Sequence, residues 1–542
     1  VAGSIVEQGK HRRTGETSVK FAAFAFALAV AQPALAADPV VIPVTAAPGQ
    51  EEILSGRLIV FAQRIEPGAP AQESVDSSPF NPTETAVAAR EVQALRPGQI
   101  AQVDGETDAF PVPFSTLPPG TYRFQAVLDR NHDYNYGGRG PGDIVSPVVE
   151  ALLPGAIPNL VLTTALPERS PEAIFARVPE DQRAAYRAAY DRAVEIDFVS
   201  PKLSAFWGRP IHMRGWIALP PDYDPDAPER WPVVYWTHGF GGTLSYARAT
   251  ATRIRLRMEK GEIPPMIWVC LDESSPNGTH EFADSANNGP WGEALTSELI
   301  PWLEQHYRMD ARPGGRFLTG HSSGGWATLW LQTRYPTIFG GTWSTAPDPS
   351  DFHDFTNIDL YAPNANAYRR ADGSATPLVR IDGRVVATIE QFARLEQVLG
   401  PYGGQFASFD WVFSPRGPDG RPVPMFDRET GAVDPDVVAY WREHYDIAHI
   451  LERDWARVGQ HLDGKIHVIV GTADTFYLDG PAHRLQAVLD RLGAHASFTF
   501  VPGHTHGDLY QQGDDRDGLI RDIAREMYAV ARPGSNWTPR AN

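Results

Sequence analysis

The sequence predicts an α/β fold, a mainly parallel sheet covered by helices, joined to an antiparallel β-sandwich on its N-terminal side. Three observations carry that expectation. Beyond about residue 199, apolar strands such as Trp231–Trp236, Arg316–Thr319 and Lys465–Val470 each open into a glycine-bearing loop, and helix-compatible runs follow the second and third. Strands that alternate with helices signal a parallel sheet. Residues 38–165 read differently, as short strands between Pro- and Gly-rich turns, with no intervening helices. Residues 347–445 interrupt the α/β pattern with an insertion rich in aromatic, Pro, Gly and Asp residues.

In chain order, Lys20 precedes the apolar run Phe21–Ala31, and Ala34-Leu35-Ala36 follows it. A positive residue, a short apolar core and an A-x-A site predict a signal peptide within residues 1–37, with Val19 as the expected start of translation. The run is shorter than the ~20 apolar residues of a spanning helix. In 38–165, Gly56–Ala62, Gly120–Leu128 and Asn159–Leu162 are expected strands, and Tyr122, Phe124 and Ala126 alternate with polar neighbours as on a half-buried sheet. Residues 166–198 predict a helical connector, with Pro171 near a helix start and an alanine-rich stretch around Ala184–Ala189. The α/β domain is expected over residues 199–535.

One junction inside that domain points to chemistry. The strand Arg316–Thr319 runs into Gly320-His321-Ser322-Ser323-Gly324-Gly325 and then a helix-compatible run that stops before Pro336. A G-x-S-x-G turn between strand and helix raises a serine hydroxyl above the sheet edge in a strained conformation. A nucleophilic serine needs a base, an acid that orients the base, and donors for the developing oxyanion. Asp474 follows the apolar strand ending at Val470, and His504 and His506 follow the strand Ser497–Val501, in the chain order Ser, Asp, His. His504 is the expected base and His506 the alternative; Asp474 is the expected acid. Asp479 is the rival acid, although a carboxylate there also suits a helix N-terminus. The oxyanion donors are expected to be the N–H of Ser323 and that of Phe240, with Gly241 as the fallback, in the loop His238-Gly239-Phe240-Gly241-Gly242.

These segments together resemble the "putative esterase" family of α/β-hydrolases. Trp291–Trp302 is similar to the helix that precedes the nucleophile strand in that family, and the resemblance covers roughly residues 200–345 and 455–530. It implies an α/β-hydrolase fold with a cap insertion, a Ser-His-Asp triad and an ester substrate, as in feruloyl esterases, S-formylglutathione hydrolase and enterochelin-type esterases. Members often carry an aromatic residue after the catalytic histidine, where this chain has His506. In these hydrolases an insertion such as 347–445 commonly caps the serine. Most of its rings, among them Phe352, Phe355, Phe409 and Phe413, are expected to pack a core of the insertion itself.

The resulting expectation is a secreted or periplasmic serine esterase that needs no cofactor for catalysis. An acyltransferase with the same triad and a non-catalytic carbohydrate- or partner-binding protein are the alternatives. Asp129, Asn131 and Asp133 place oxygen-bearing side chains at alternate positions of one loop, as a structural calcium site would, and an Asx-rich turn explains the same pattern. The 542-residue chain has 48 Lys and Arg against 66 Asp and Glu and no long basic run, which argues against nucleic-acid or anionic-membrane partners. Cys270, the only cysteine, lies in an apolar run and is expected to be a small core residue.

Overall fold

Eight strands build the central sheet of the computed structural model, which describes residues 39–540 except 50, 51, 156 and 169. In chain order they are β1 (Val194–Val199), β2 (His212–Ala218), β3 (Val233–Thr237), β4 (Ile267–Leu271), β5 (Arg316–His321), β6 (Gly341–Thr345), β7 (Ile466–Gly471) and β8 (Ser497–Val501). Their order across the sheet is β1-β2-β4-β3-β5-β6-β7-β8. Only the β1–β2 and β2–β4 pairings are antiparallel. Parallel strands with helices on both faces have two covered faces, so their side chains need not alternate. Accordingly β3, β4 and β6 are buried at every position, and Cys270 sits fully inside β4. The sheet begins at Val194, within the stretch expected to be connector. The helical part of that stretch is confined to Pro171–Phe175 and Arg183–Arg192, flanking a 3-10 turn. The expected signal segment, residues 1–37 with Val19, lies outside the described residues. Among the described residues, no helix is long and apolar enough to cross a membrane.

The N-terminal module consists of two β-sheets. Strand Val41–Ala46 is paired antiparallel with Ile100–Asp104 and parallel with Leu160–Leu162. The larger, antiparallel sheet is built on Leu54–Arg64, which lies between Thr85–Leu95 and Gly120–Asp129. Leu58, Val60 and Ala62 point from it into the core shared with Ile42 and Val44. Ile59 and Phe61, on the opposite face, pack with Leu395, Val398 and Leu399 of the insertion. Both faces of this strand are therefore covered, and Leu58-Ile59-Val60-Phe61-Ala62 is apolar without alternation for that reason. Module, insertion and catalytic sheet form one compact unit rather than separate bodies.

The insertion between β6 and β7 carries a hairpin (Pro377–Ile381 with Arg384–Thr388) and helices Ile389–Leu399, Gln405–Phe413 and Pro435–His444. Phe352, Phe355, Phe409, Phe413 and Trp441 are buried against one another with ring centroids 5.2–6.1 Å apart, and they belong to the same continuous core as Trp268, Trp343 and Val468 of the central sheet rather than to a separate one. The ring of Trp326, on the helix after the serine, lies tilted against that of Phe413 with centroids 4.8 Å apart, which joins these rings to the elbow.

Candidate active site

Ser322 stands between β5 and the helix Ser323–Arg334 with φ 60° and ψ −125°, a conformation that a residue with a side chain occupies only when its surroundings impose it. Those surroundings are close main chain. A Cβ on Gly320 would lie 2.3 Å from the Gly324 carbonyl oxygen, and one on Gly324 would lie 2.3 Å from that of His238. Glycine at both positions lets the elbow nest against the end of β3. Gly239 is subject to the same limit, since a Cβ there would lie 2.9 Å from Ser322 Cβ. The loop after β3 therefore lies directly against the serine. As the first residue of its helix, Ser323 has an N–H with no carbonyl partner one turn back, at the end of the helix that favours negative charge.

His506 and Asp474 form a pair. His506 Nδ1 donates to Asp474 Oδ2 at 2.8 Å, and Asp474 Oδ1 accepts the N–H groups of Phe476 and Leu478 at 2.9 and 3.2 Å. Burial alone would raise the carboxyl pKa of Asp474. The His506 imidazole and these N–H donors outweigh it, so the pKa falls below the usual value. The His506 ring lies 4.4 Å, centroid to centroid, from that of His321, the residue before the serine. Burial holds His321 down to about 3, which keeps it neutral.

His504, the expected base, does not meet Asp474. Its Nδ1 bonds to the Asp508 carbonyl at 2.9 Å, and its own carbonyl accepts from Ala473 N–H at 3.0 Å. It braces the loop in which His506 is the residue that reaches the acid. Asp479, the rival acid, opens the helix Asp479–Arg491 and pairs with Arg380 of the insertion at 2.8 Å.

His238 braces the loop after β3 from beneath, with Nδ1 to the Gly239 carbonyl at 2.8 Å and Nε2 to Asp272 at 2.9 Å. Burial opposes its charge, but Asp272 and Glu273 overcome that opposition and raise its pKa. Sequence reasoning missed Asp348, which is buried just past the end of β6. Its Oδ2 accepts from Ser323 Oγ at 2.7 Å, and its Oδ1 lies 3.4 Å from Ser322 Oγ. A carboxylate three residues beyond a buried strand was a usable signal. Burial pushes the Asp348 pKa up to about 6. Two more buried acids adjoin the region: burial raises Glu273 to about 8 and lifts Glu281 well above the carboxylate range.

In the module, the carboxylates of Asp129 and Asp133 converge with that of Asp143 to within 4.8 Å. The Asn131 side-chain amide donates to the Pro141 carbonyl. Asp129 accepts the N–H groups of Asn131, Asp133 and Tyr134, and Asp143 those of Arg130 and Gly140. Oxygens of Asp129 and Asp143 are thus engaged in holding the loop itself, as in an Asx turn.

A mainly parallel sheet with this order, a strained serine at a strand–helix elbow and an Asp–His pair after the next strands defines an α/β-hydrolase. The chain belongs to the family described as "Putative esterase", which it matches over residues 207–506, more than half its length. It is 28% identical over 153 residues to Esterase MT1326 of Mycobacterium tuberculosis strain CDC 1551 / Oshkosh, and equally to Esterase Rv1288 of strain ATCC 25618 / H37Rv. Each match covers 28% of this chain and 32% of the relative, so the chain spans about a third of the length of these relatives. Among solved structures, a ferulic acid esterase is similar at 13% identity and TM-score 0.38, covering 63% of this chain and 97% of that one. An S-formylglutathione hydrolase from Agrobacterium tumefaciens is similar at 16% identity and TM-score 0.37, covering 63% and 95%.

Proposed function

We propose that the chain is a serine esterase that hydrolyses carboxylic esters through an acyl-enzyme, with Ser322 as nucleophile, His506 as base and Asp474 as orienting acid. The observation that carries this reading is the strained Ser322 elbow with the His506–Asp474 pair packed beside its His321. Ser322 Oγ attacks the ester carbonyl carbon as His506 Nε2 takes the hydroxyl proton. Asp474 holds Nδ1–H, which selects the tautomer that leaves Nε2 free to accept, and it balances the imidazolium charge. The N–H groups of Ser323 and Phe240 donate to the oxyanion, where fixed donors in a dry site are most effective. His506 then protonates the departing alcohol. Water, deprotonated by the same imidazole, attacks the acyl carbonyl and releases acid and Ser322.

Membership of an esterase family supports an ester as substrate. The scheme draws on no metal or organic cofactor. Export to a periplasm or the medium belongs to the same proposal and rests on the Phe21–Ala31 run with Ala34-Leu35-Ala36 after it. Purified Ser322→Ala is expected to lose p-nitrophenyl acetate hydrolysis and fluorophosphonate labelling while keeping its near-UV circular dichroism. Undiminished turnover in that variant would reject the assignment.

A further inference from the structure

The N-terminal module touches the loop that carries the proposed oxyanion donor. A single helical turn, Tyr134–Gly137, follows the end of strand Gly120–Asp129 and presents Tyr136. The Tyr136 hydroxyl donates to the Gly242 carbonyl at 2.6 Å. Its ring stands edge-on to Phe240, with centroids 4.9 Å apart. The main chains also approach closely, since a Cβ on Gly241 would lie 3.4 Å from the Tyr136 carbonyl oxygen.

The turn bearing Tyr136 is itself held from two sides. Asp129 accepts from Tyr134 N–H at 3.1 Å, and Asn135 Nδ2 donates to the Glu396 and Gly400 carbonyls of the insertion at 2.9 Å each. The loop it meets has little rigidity of its own. Three of the four residues Gly239–Gly242 are glycine, and Gly241 lies at φ 78° in the turn closed by Gly242 N–H to Gly239 carbonyl. Glycine-rich backbone samples many orientations unless it is anchored. An oxyanion donor is effective only when its direction is set before the charge develops. His238 anchors one end of this loop at Gly239, and Tyr136 anchors the other at Gly242.

The module also meets a residue that packs on His506. Phe80, 47% exposed, lies 6.0 Å from the ring of Phe476, which stands edge-on to His506 at 5.0 Å.

From these contacts we infer that Tyr136 is a positioning residue for the Phe240 N–H, and that the module is a working part of the hydrolytic site rather than a spacer or a detached binding domain. The inference rests on the serine-esterase reading above. It acts through one bond, from the Tyr136 hydroxyl to the Gly242 carbonyl, so the conservative variant is the informative one.

Tyr136→Phe in the full chain keeps the ring against Phe240 and removes only the hydroxyl. With p-nitrophenyl acetate, kcat is expected to fall about five- to tenfold, the scale of one lost hydrogen bond, with KM changed less than about threefold. The melting temperature should stay close to that of the unmodified protein, and fluorophosphonate labelling of Ser322 should slow in parallel with kcat. An unchanged kcat, or a loss seen equally in KM and melting temperature, would overturn the role of Tyr136 and leave the esterase assignment standing. An unmodified chain that neither turns over esters nor labels at Ser322 would remove both.

Discussion

His506 Nδ1 lies 2.8 Å from Asp474 Oδ2, whereas His504, two positions earlier in the same loop, gives its Nδ1 to the Asp508 carbonyl at 2.9 Å. The two imidazoles therefore face different partners, and substitution should separate them. His506→Ala is expected to lower kcat on a p-nitrophenyl ester by about 10⁴-fold or more, the scale seen when a triad member is removed. His504→Ala is expected to stay within about tenfold, since it loses a loop bond and no proton acceptor. Steady-state kinetics of the two variants check this, and the reverse ranking would reassign the base.

The carboxylates separate in the same way. Asp474→Asn preserves shape but no longer stabilises the imidazolium, and kcat should fall by about 10³- to 10⁴-fold. Asp479→Asn leaves Arg380 without its ion pair at a half-buried site. Its cost should appear in melting temperature, with kcat close to that of the unmodified protein. A large kcat loss confined to Asp479→Asn would show the acid to be misassigned.

Stability should respond to pH through the buried acids near the serine. Glu273 has its pKa raised to about 8 from an ordinary 4.5 by burial, although Thr237 donates to it. Between those values the folded protein holds a proton that the unfolded chain has lost, so this group's contribution declines as pH rises from about 4.5 to 8. Its slope is at most about 1.4 kcal/mol per pH unit. Asp348 and Glu281 act with the same sign. Asp474, whose pKa is lowered, acts in the opposite sense and only in the acid range below ordinary carboxylate values. Glu273→Gln should therefore gain melting temperature relative to the unmodified protein across pH 5–8 and hold that gain above it. A pH-independent difference between the two would mean that Glu273 is ionised throughout.

Trp441 is fully buried among Phe352, Phe355 and Phe413, and Phe413 in turn meets Trp326 on the elbow helix. Trp441→Ala should cost about 3–5 kcal/mol in urea unfolding, the usual range for emptying an aromatic site. Because that core abuts the helix behind Ser322, activity should fall at urea concentrations below those that unfold the remainder.

Some of this was readable residue by residue. The elbow was legible because its conformation depends on neighbours in the chain: a buried strand, glycines where any Cβ would strike main chain, then a helix. Asp474 was legible because an acid just past a buried strand sits at the sheet rim whatever else the fold does.

Sequence by itself thus determined the parallel sheet, the strained serine and the order Ser, Asp, His along the chain, because strand periodicity and glycine placement act over a few residues. Only the tertiary structure decided which imidazole meets Asp474, a contact spanning 32 positions, and that Tyr136 reaches Gly242 across 106. Spacing along a loop carries no information about where a ring points. That direction is set by the burial of Asp474, by Phe476 and His321 against His506, and by the packing of the module on the insertion.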